Sequence, residues 1–210
     1  MKTKAESAHG KIVGRIRSHG RGWIFTPRDF EDLCVRSTIS TTLQRLHESG
    51  MIRQLSRGLY DYPRTDEQLG ELAAPTDDIA KALAGRDAIR LQPSGAYAAN
   101  LLGLSAQVPM RIVYLTDGRS RTVHVGRRQI MLKQTSPRIM ATAGRISGLV
   151  IQALRYIGQA HVDEGVIASL DRRLDAAARL QLIKDIRYAP AWIAGIFRRL
   201  IVHAISRDIR

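Results

Sequence analysis

Between Ser37 and Arg57 the chain sets hydroxyl and amide side chains on one helical face and arginines just beyond it. That combination suits the reading of DNA. At about 100° per residue, Ser37, Thr41, Gln44 and Glu48 fall together, flanked by Thr38, Ser40 and Arg45, opposite Ile39, Leu43 and Leu46. Small hydroxyl side chains let a helix backbone approach the floor of the major groove, while Gln44 and Arg45 have the reach to meet base edges. The face carries little charge, so affinity must come from elsewhere. Arg53 and Arg57, around the turn Ser56-Arg57-Gly58, are placed to meet phosphates or enter the minor groove.

The elements that must position these residues follow one another closely in Thr26–Tyr62, TPRDFEDLCVRSTISTTLQRLHESGMIRQLSRGLYDY. Ala8, Ile12 and Ile16 recur every four residues and predict a first helix over 5–18, ended near Gly20. Trp23 and Phe25 are expected to pack. Thr26 as N-cap, Pro27 in the first helical position and Asp29 against the helix dipole then start a second helix, with Phe30 and Leu33 inward. A third helix is predicted over 37–49, closed by Gly50. Met51–Leu55 and Leu59–Tyr62 read as two short strands, with Gly58 supplying positive φ in the turn. This order is that of a winged helix-turn-helix. The same module can also serve protein contacts alone.

Beyond it, Arg64–Pro75 is polar and acidic and reads as a linker. A helix is expected over Thr76–Ala84, a strand at 89–91 and a small-residue helix over 96–102. A meander of strands follows at Val108–Thr116, Thr122–Val125 and Gln129–Lys133. From Met140 onward the pattern is helical: Ile146, Leu149, Val150, Ala153, Leu154 and Ile157 share one broad face, helices follow near 163–173 and 176–187, and Pro190 opens a last one through about His203. The fold class expected is α+β: an N-terminal winged helix-turn-helix over 1–64, a linker over 65–75, and a mixed domain over 76–210 with a small antiparallel sheet and a helical C-terminal part. Seven cations between Arg111 and Arg138, Arg127 and Arg128 among them, face Asp117 alone. They are either a second run of phosphate contacts or a solvated face.

The formal net charge of +14 over 210 residues favours polyanionic partners. Residues 1–64 hold 12 Lys and Arg against 6 Asp and Glu, a net of +6; the remaining 33 − 12 = 21 against 19 − 6 = 13 give +8. The charge is therefore not confined to the first domain. One cysteine, Cys34, excludes an internal disulfide framework and a Cys-based zinc site. The polar amino terminus has no apolar signal region and no apolar run reaches membrane-spanning length, so a cytoplasmic protein with no membrane partner is expected. No Gly-Ser turn leads into paired carboxylates, and no P-loop, dinucleotide fingerprint or HExxH is present. Neither catalytic residues, nor metal, nor cofactor are expected.

The block QPSGAYAANLLGLSAQVPMRIVYLTDG over 92–118, followed by SRTVHVG, resembles the AbiEi family of antitoxins. SPRIMATAGRISGLVIQALRYIG and IKDIRYAPAWIAGIFRRL are similar to that family's helical tail, and RQLSRGLYDYP to its winged helix. The resemblance implies a regulator encoded beside a nucleotidyltransferase-like toxin. It would bind double-stranded DNA at operator repeats through its first domain and repress its own operon, as a monomer or weak dimer. The C-terminal domain would counteract the toxin, in many such systems without a stable complex. The alternatives are a protein-interaction module acting through the C-terminal domain, and an ordinary repressor with no toxin.

Overall fold

Helix α1, Ala8–His19, starts where Ser7 accepts the amide proton of Gly10 and buries Ile12 and Ile16 completely. The computed structural model describes residues 7–107 and 109–208. The expected helical positions 5 and 6 and the expected strand start at Val108 lie outside the described residues. The chain divides into two compact units, Met1–Ala88 and Ile89–Arg210, each with its own core.

In the first unit, strand β1 (Ile24–Phe25) leads to a short 3-10 helix, Pro27–Phe30, and then to α2, Arg36–Glu48. Thr26 stands at the expected N-cap position, but its hydroxyl donates: Asp29 accepts from the Thr26 amide at 2.6 Å and from its hydroxyl at 3.0 Å. The second helix is only this one turn. The Asp29 carbonyl, which an α-helix would offer to Leu33, is taken by the Arg15 guanidinium at 2.6 Å, and the Leu33 amide bonds Phe30 instead. Phe30 is still fully buried and Leu33 packs beside it. α2 closes as expected at Gly50, φ +73°, with the Gly50 amide on the His47 carbonyl and the Met51 amide on the Leu46 carbonyl.

Strands β2 (Arg53–Ser56) and β3 (Leu59–Asp61) follow, giving an antiparallel sheet of order β1-β3-β2. The core joins Ile12, Ile16, Phe25, Phe30, Ile39, Leu43, Leu46 and Ile52. Phe25 and Phe30 meet edge to face with centroids 5.5 Å apart. The stretch expected as a linker, 65–75, carries a small hairpin of β4 (Thr65–Asp66) and β5 (Gly70–Glu71). Helix α3, Thr76–Asp87, packs on β1 with Ile79 and Leu83 buried, so it belongs to the first unit.

In the second unit, strands β6 (Leu91–Ser94), β7 (Arg111–Thr116), β8 (Arg121–Val125) and β9 (Arg128–Gln134) form one sheet of order β6-β7-β9-β8. The expected meander is not what forms. β9 inserts between β7 and β8, parallel to the first and antiparallel to the second. Burial explains the order: Ile130 and Leu132 of β9 are fully covered and take an interior position, whereas β8 exposes Thr122 and His124 at the edge. The sheet is therefore mixed, and the molecule is α+β.

Six helices accompany this sheet among the described residues: α4 (Gly95–Leu101), α5 (Pro137–Met140), α6 (Ile146–Ile157), α7 (Glu164–Arg173), α8 (Ala176–Asp185) and α9 (Ala191–Asp208). α6 is the central one. It is covered nearly all round, with Val150, Ala153 and Leu154 inaccessible, and packs on α4, β6 and α8. Two ion pairs to buried carboxylates tie the helices. Asp185 accepts from Arg145 at 2.7 Å and from Ser147, and Arg179 meets Asp171 at 2.9 Å while donating to the carbonyls of Leu174 and Leu200.

Candidate nucleic-acid interface

α2 presents its polar face to solvent as its periodicity dictates. Ser37, Ser40, Thr41, Gln44 and Arg45 are exposed and Thr38 is half-buried, while Ile39, Leu43 and Leu46 are buried behind them. Two of these groups are engaged within the helix. Thr41 donates to the Ser37 carbonyl at 3.1 Å, and Gln44 donates to Glu48 at 2.9 Å. Gln44 must release Glu48 before it can offer both amide hydrogens to a base. Val35, the N-cap of α2, is exposed and supplies no side-chain bond, so the first-turn amides are left open to water or an anion.

The two arginines expected around the β2–β3 turn have different fates. Arg57 is exposed at the tip, beside Gly58 at φ +68°. Arg53 is not available to DNA. Its guanidinium grips Asp61 through two bonds of 3.1 and 2.6 Å, donates to the Leu72 carbonyl at 3.0 Å and reaches Glu71 at 3.4 Å. Asp61, only 2% exposed, requires that partner, and hydrogen bonding to it raises the Arg53 pKa above its usual value. The cross-strand register placing Arg53 opposite Asp61 decides the matter. Arg53 closes the sheet.

Arg57 instead joins three arginines that the sequence did not single out. Arg28, Arg36, Arg57 and Arg86 line a concavity of about 370 Å³ together with Thr26, Pro27, Gly58 and Glu31. Arg28 comes from the 3-10 turn, Arg36 from the first turn of α2, Arg57 from the strand turn and Arg86 from the end of α3. Backbone carbonyls organise the cluster: Arg28 donates to that of Arg86, and Arg86 to that of Arg57 at 3.4 Å. Arg86 also pairs with Asp87 at 3.0 Å, whereas Arg36 and Arg57 have no ion pair among the described residues. Four guanidinium groups, set against Glu31 in the lining and the Asp87 partner of Arg86, leave a concave positive surface beside the open end of α2, suited to phosphate oxygens. The sequence signal that could have found it is modest: Arg28 and Arg36 lie in the first turns of helical segments, where a cation opposes the helix dipole and needs another reason.

Arg127 and Arg128 belong to the second unit, at the hairpin between β8 and β9. Arg127 is exposed and Arg128 half-buried. The same unit exposes Arg111 and Arg119, while Arg90 is held by Asp117 at 2.8 Å. Among the described residues no helix is long and apolar enough to cross a membrane.

A family model described as a family of unknown function (DUF6088) matches residues 11–180. No curated protein matches the chain. The crystal structure of the RV2827C protein from Mycobacterium tuberculosis is similar at a TM-score of 0.44 and 13% identity, over 95% of this chain and 78% of that one.

Proposed function

The chain belongs to the family of unknown function DUF6088, and we propose that within it this protein is a DNA-binding antitoxin that represses its own operon. One observation carries the DNA-binding part. The open polar face of α2 and the concavity of Arg28, Arg36, Arg57 and Arg86 occur in the same compact unit. Read as a winged helix-turn-helix, the unit would lay α2 in the major groove, with Gln44 and Arg45 at base edges. The arginine concavity would hold the adjoining phosphates. Sequence preference then comes from α2 and most of the affinity from the arginines, as a weakly charged recognition face requires.

The antitoxin part rests on the QPSG-to-SRTV block and the helical tail that follows it. It names a nucleotidyltransferase-like toxin as functional partner. The buried carboxylates Asp61, Asp171 and Asp185 are each held by an arginine.

Gel shifts of the full chain on the DNA upstream of its own gene, at rising salt, test the first part. Binding that weakens steeply with salt and selects particular repeats is expected, and binding absent at low salt refutes it. Co-expression with the neighbouring gene product tests the second. Rescue of growth from a toxic neighbour is expected. An innocuous neighbour would leave an ordinary repressor.

A further inference from the structure

The second unit contains a cavity of about 300 Å³ enclosed by α5, α6 and the turn ahead of α9. Arg138 on α5 and Arg155 on α6 stand at its edge, both exposed and neither in an ion pair among the described residues. Among the described residues no Asp or Glu lines it, so its lining carries a net positive charge. Between the arginines α6 offers Gln152, 7% exposed. Its Oε1 accepts from the Ser94 hydroxyl at 3.3 Å, which engages the amide oxygen, and Gln152 lines the cavity with an Nε2 group that has donors to offer. Ile139 and Ile151 supply apolar wall. Tyr188 supplies a ring, held by Arg187, which lies 4.9 Å from its centroid and donates to its hydroxyl at 3.0 Å.

We propose that this cavity binds a phosphate monoester carried on a flat ring, a ligand of nucleoside monophosphate size. The two guanidinium groups and the Gln152 amide would take the dianionic phosphate, and the apolar wall with Tyr188 would take the ring. The volume lies at the small end of ligand sites, which excludes a dinucleotide held whole. The same chemistry occurs in a free mononucleotide and in the 5′-phosphorylated end of a nucleic acid strand.

Calorimetric titration of the full chain with adenosine 5′-monophosphate tests this. Saturable binding of one molecule per chain is expected, weakened about tenfold by Arg155→Gln and by Arg138→Gln, and unchanged by Arg172→Gln at the exposed end of α7. Adenosine and inorganic phosphate should each bind at least about tenfold more weakly than the monophosphate. A tetranucleotide with a 5′-phosphate that outcompetes the monophosphate assigns the site to a strand end; one that does not assigns it to the free nucleotide. Both arginine variants alter exposed side chains, and their near-UV circular dichroism should match that of the parent. The proposal is overturned by no saturable heat up to ~10 mM monophosphate, by binding insensitive to both substitutions, or by inorganic phosphate binding as well as the nucleotide.

Discussion

Replacing Arg57 and Arg53 in turn separates the residue proposed to hold phosphate from one that holds the fold. Arg57 is exposed in the arginine concavity without an ion pair among the described residues, so Arg57→Ala should remove the proposed phosphate contact at little cost to stability. Each such contact contributes about 0.9 to the slope of log affinity against log salt. Between ~50 and ~200 mM salt, a fourfold change, the variant should therefore lose about 3.5-fold less affinity than the parent. At low salt the lost charge-assisted bond, worth about 1.5 kcal/mol, should weaken binding roughly tenfold, equally on operator and unrelated DNA. Arg53→Ala should do the reverse. It strips the 2%-exposed Asp61 carboxylate of its guanidinium, a loss of about 3 kcal/mol in folding stability, while leaving the salt slope unchanged wherever the protein is folded. Gel shifts across a salt series, paired with urea unfolding, read both quantities. A slope unchanged in Arg57→Ala and reduced by about 0.9 in Arg53→Ala would refute the assignment of both residues.

Gln44→Ala removes an amide aimed outward from α2 and should relax base preference at one operator position by about 1–3 kcal/mol, with the salt slope intact. Selection from randomised sites checks this, and an unchanged consensus would take Gln44 out of base reading. Gly148→Ala should destabilise the second unit by about 1–3 kcal/mol in urea unfolding, because the added methyl would lie 2.3 Å from the Thr142 carbonyl and 2.6 Å from Gln92 Oε1. Full stability in that variant would show that the close approach relaxes freely. Acid should weaken both units. The Arg15 guanidinium lowers the pKa of Asp32, the Leu69 and Gln68 amides that of Asp66, and the Arg90 guanidinium and amide that of Asp117. Each folded value lies below the ordinary 3.8 of a free carboxyl, so the stabilisation is complete above that pH and disappears as pH falls through the folded value. Asp117→Asn should flatten that acid dependence in unfolding curves, and an unaltered curve would contradict the Arg90 pairing.

The sequence by itself determined the elements whose signals are local. Ile12 and Ile16, or Ile39, Leu43 and Leu46, meet on one helical face by period alone, and the polar residues from Ser37 to Arg45 are left outside. Thr26 with Asp29, and Gly50 and Gly58 at positive φ, act within four residues and were legible for that reason. What spans the chain was not. Arg53 and Arg57 are equivalent by composition and turn position, yet strand register gives one to Asp61 and leaves the other in solvent. The parallel pairing of β7 with β9 follows from which strand buries more surface, a property of the assembled sheet. Arg28 and Arg86, 58 residues apart, become neighbours only when α3 packs on β1. Period and caps act over a few residues of chain, whereas charge clusters and sheet order depend on contacts that tertiary packing alone creates.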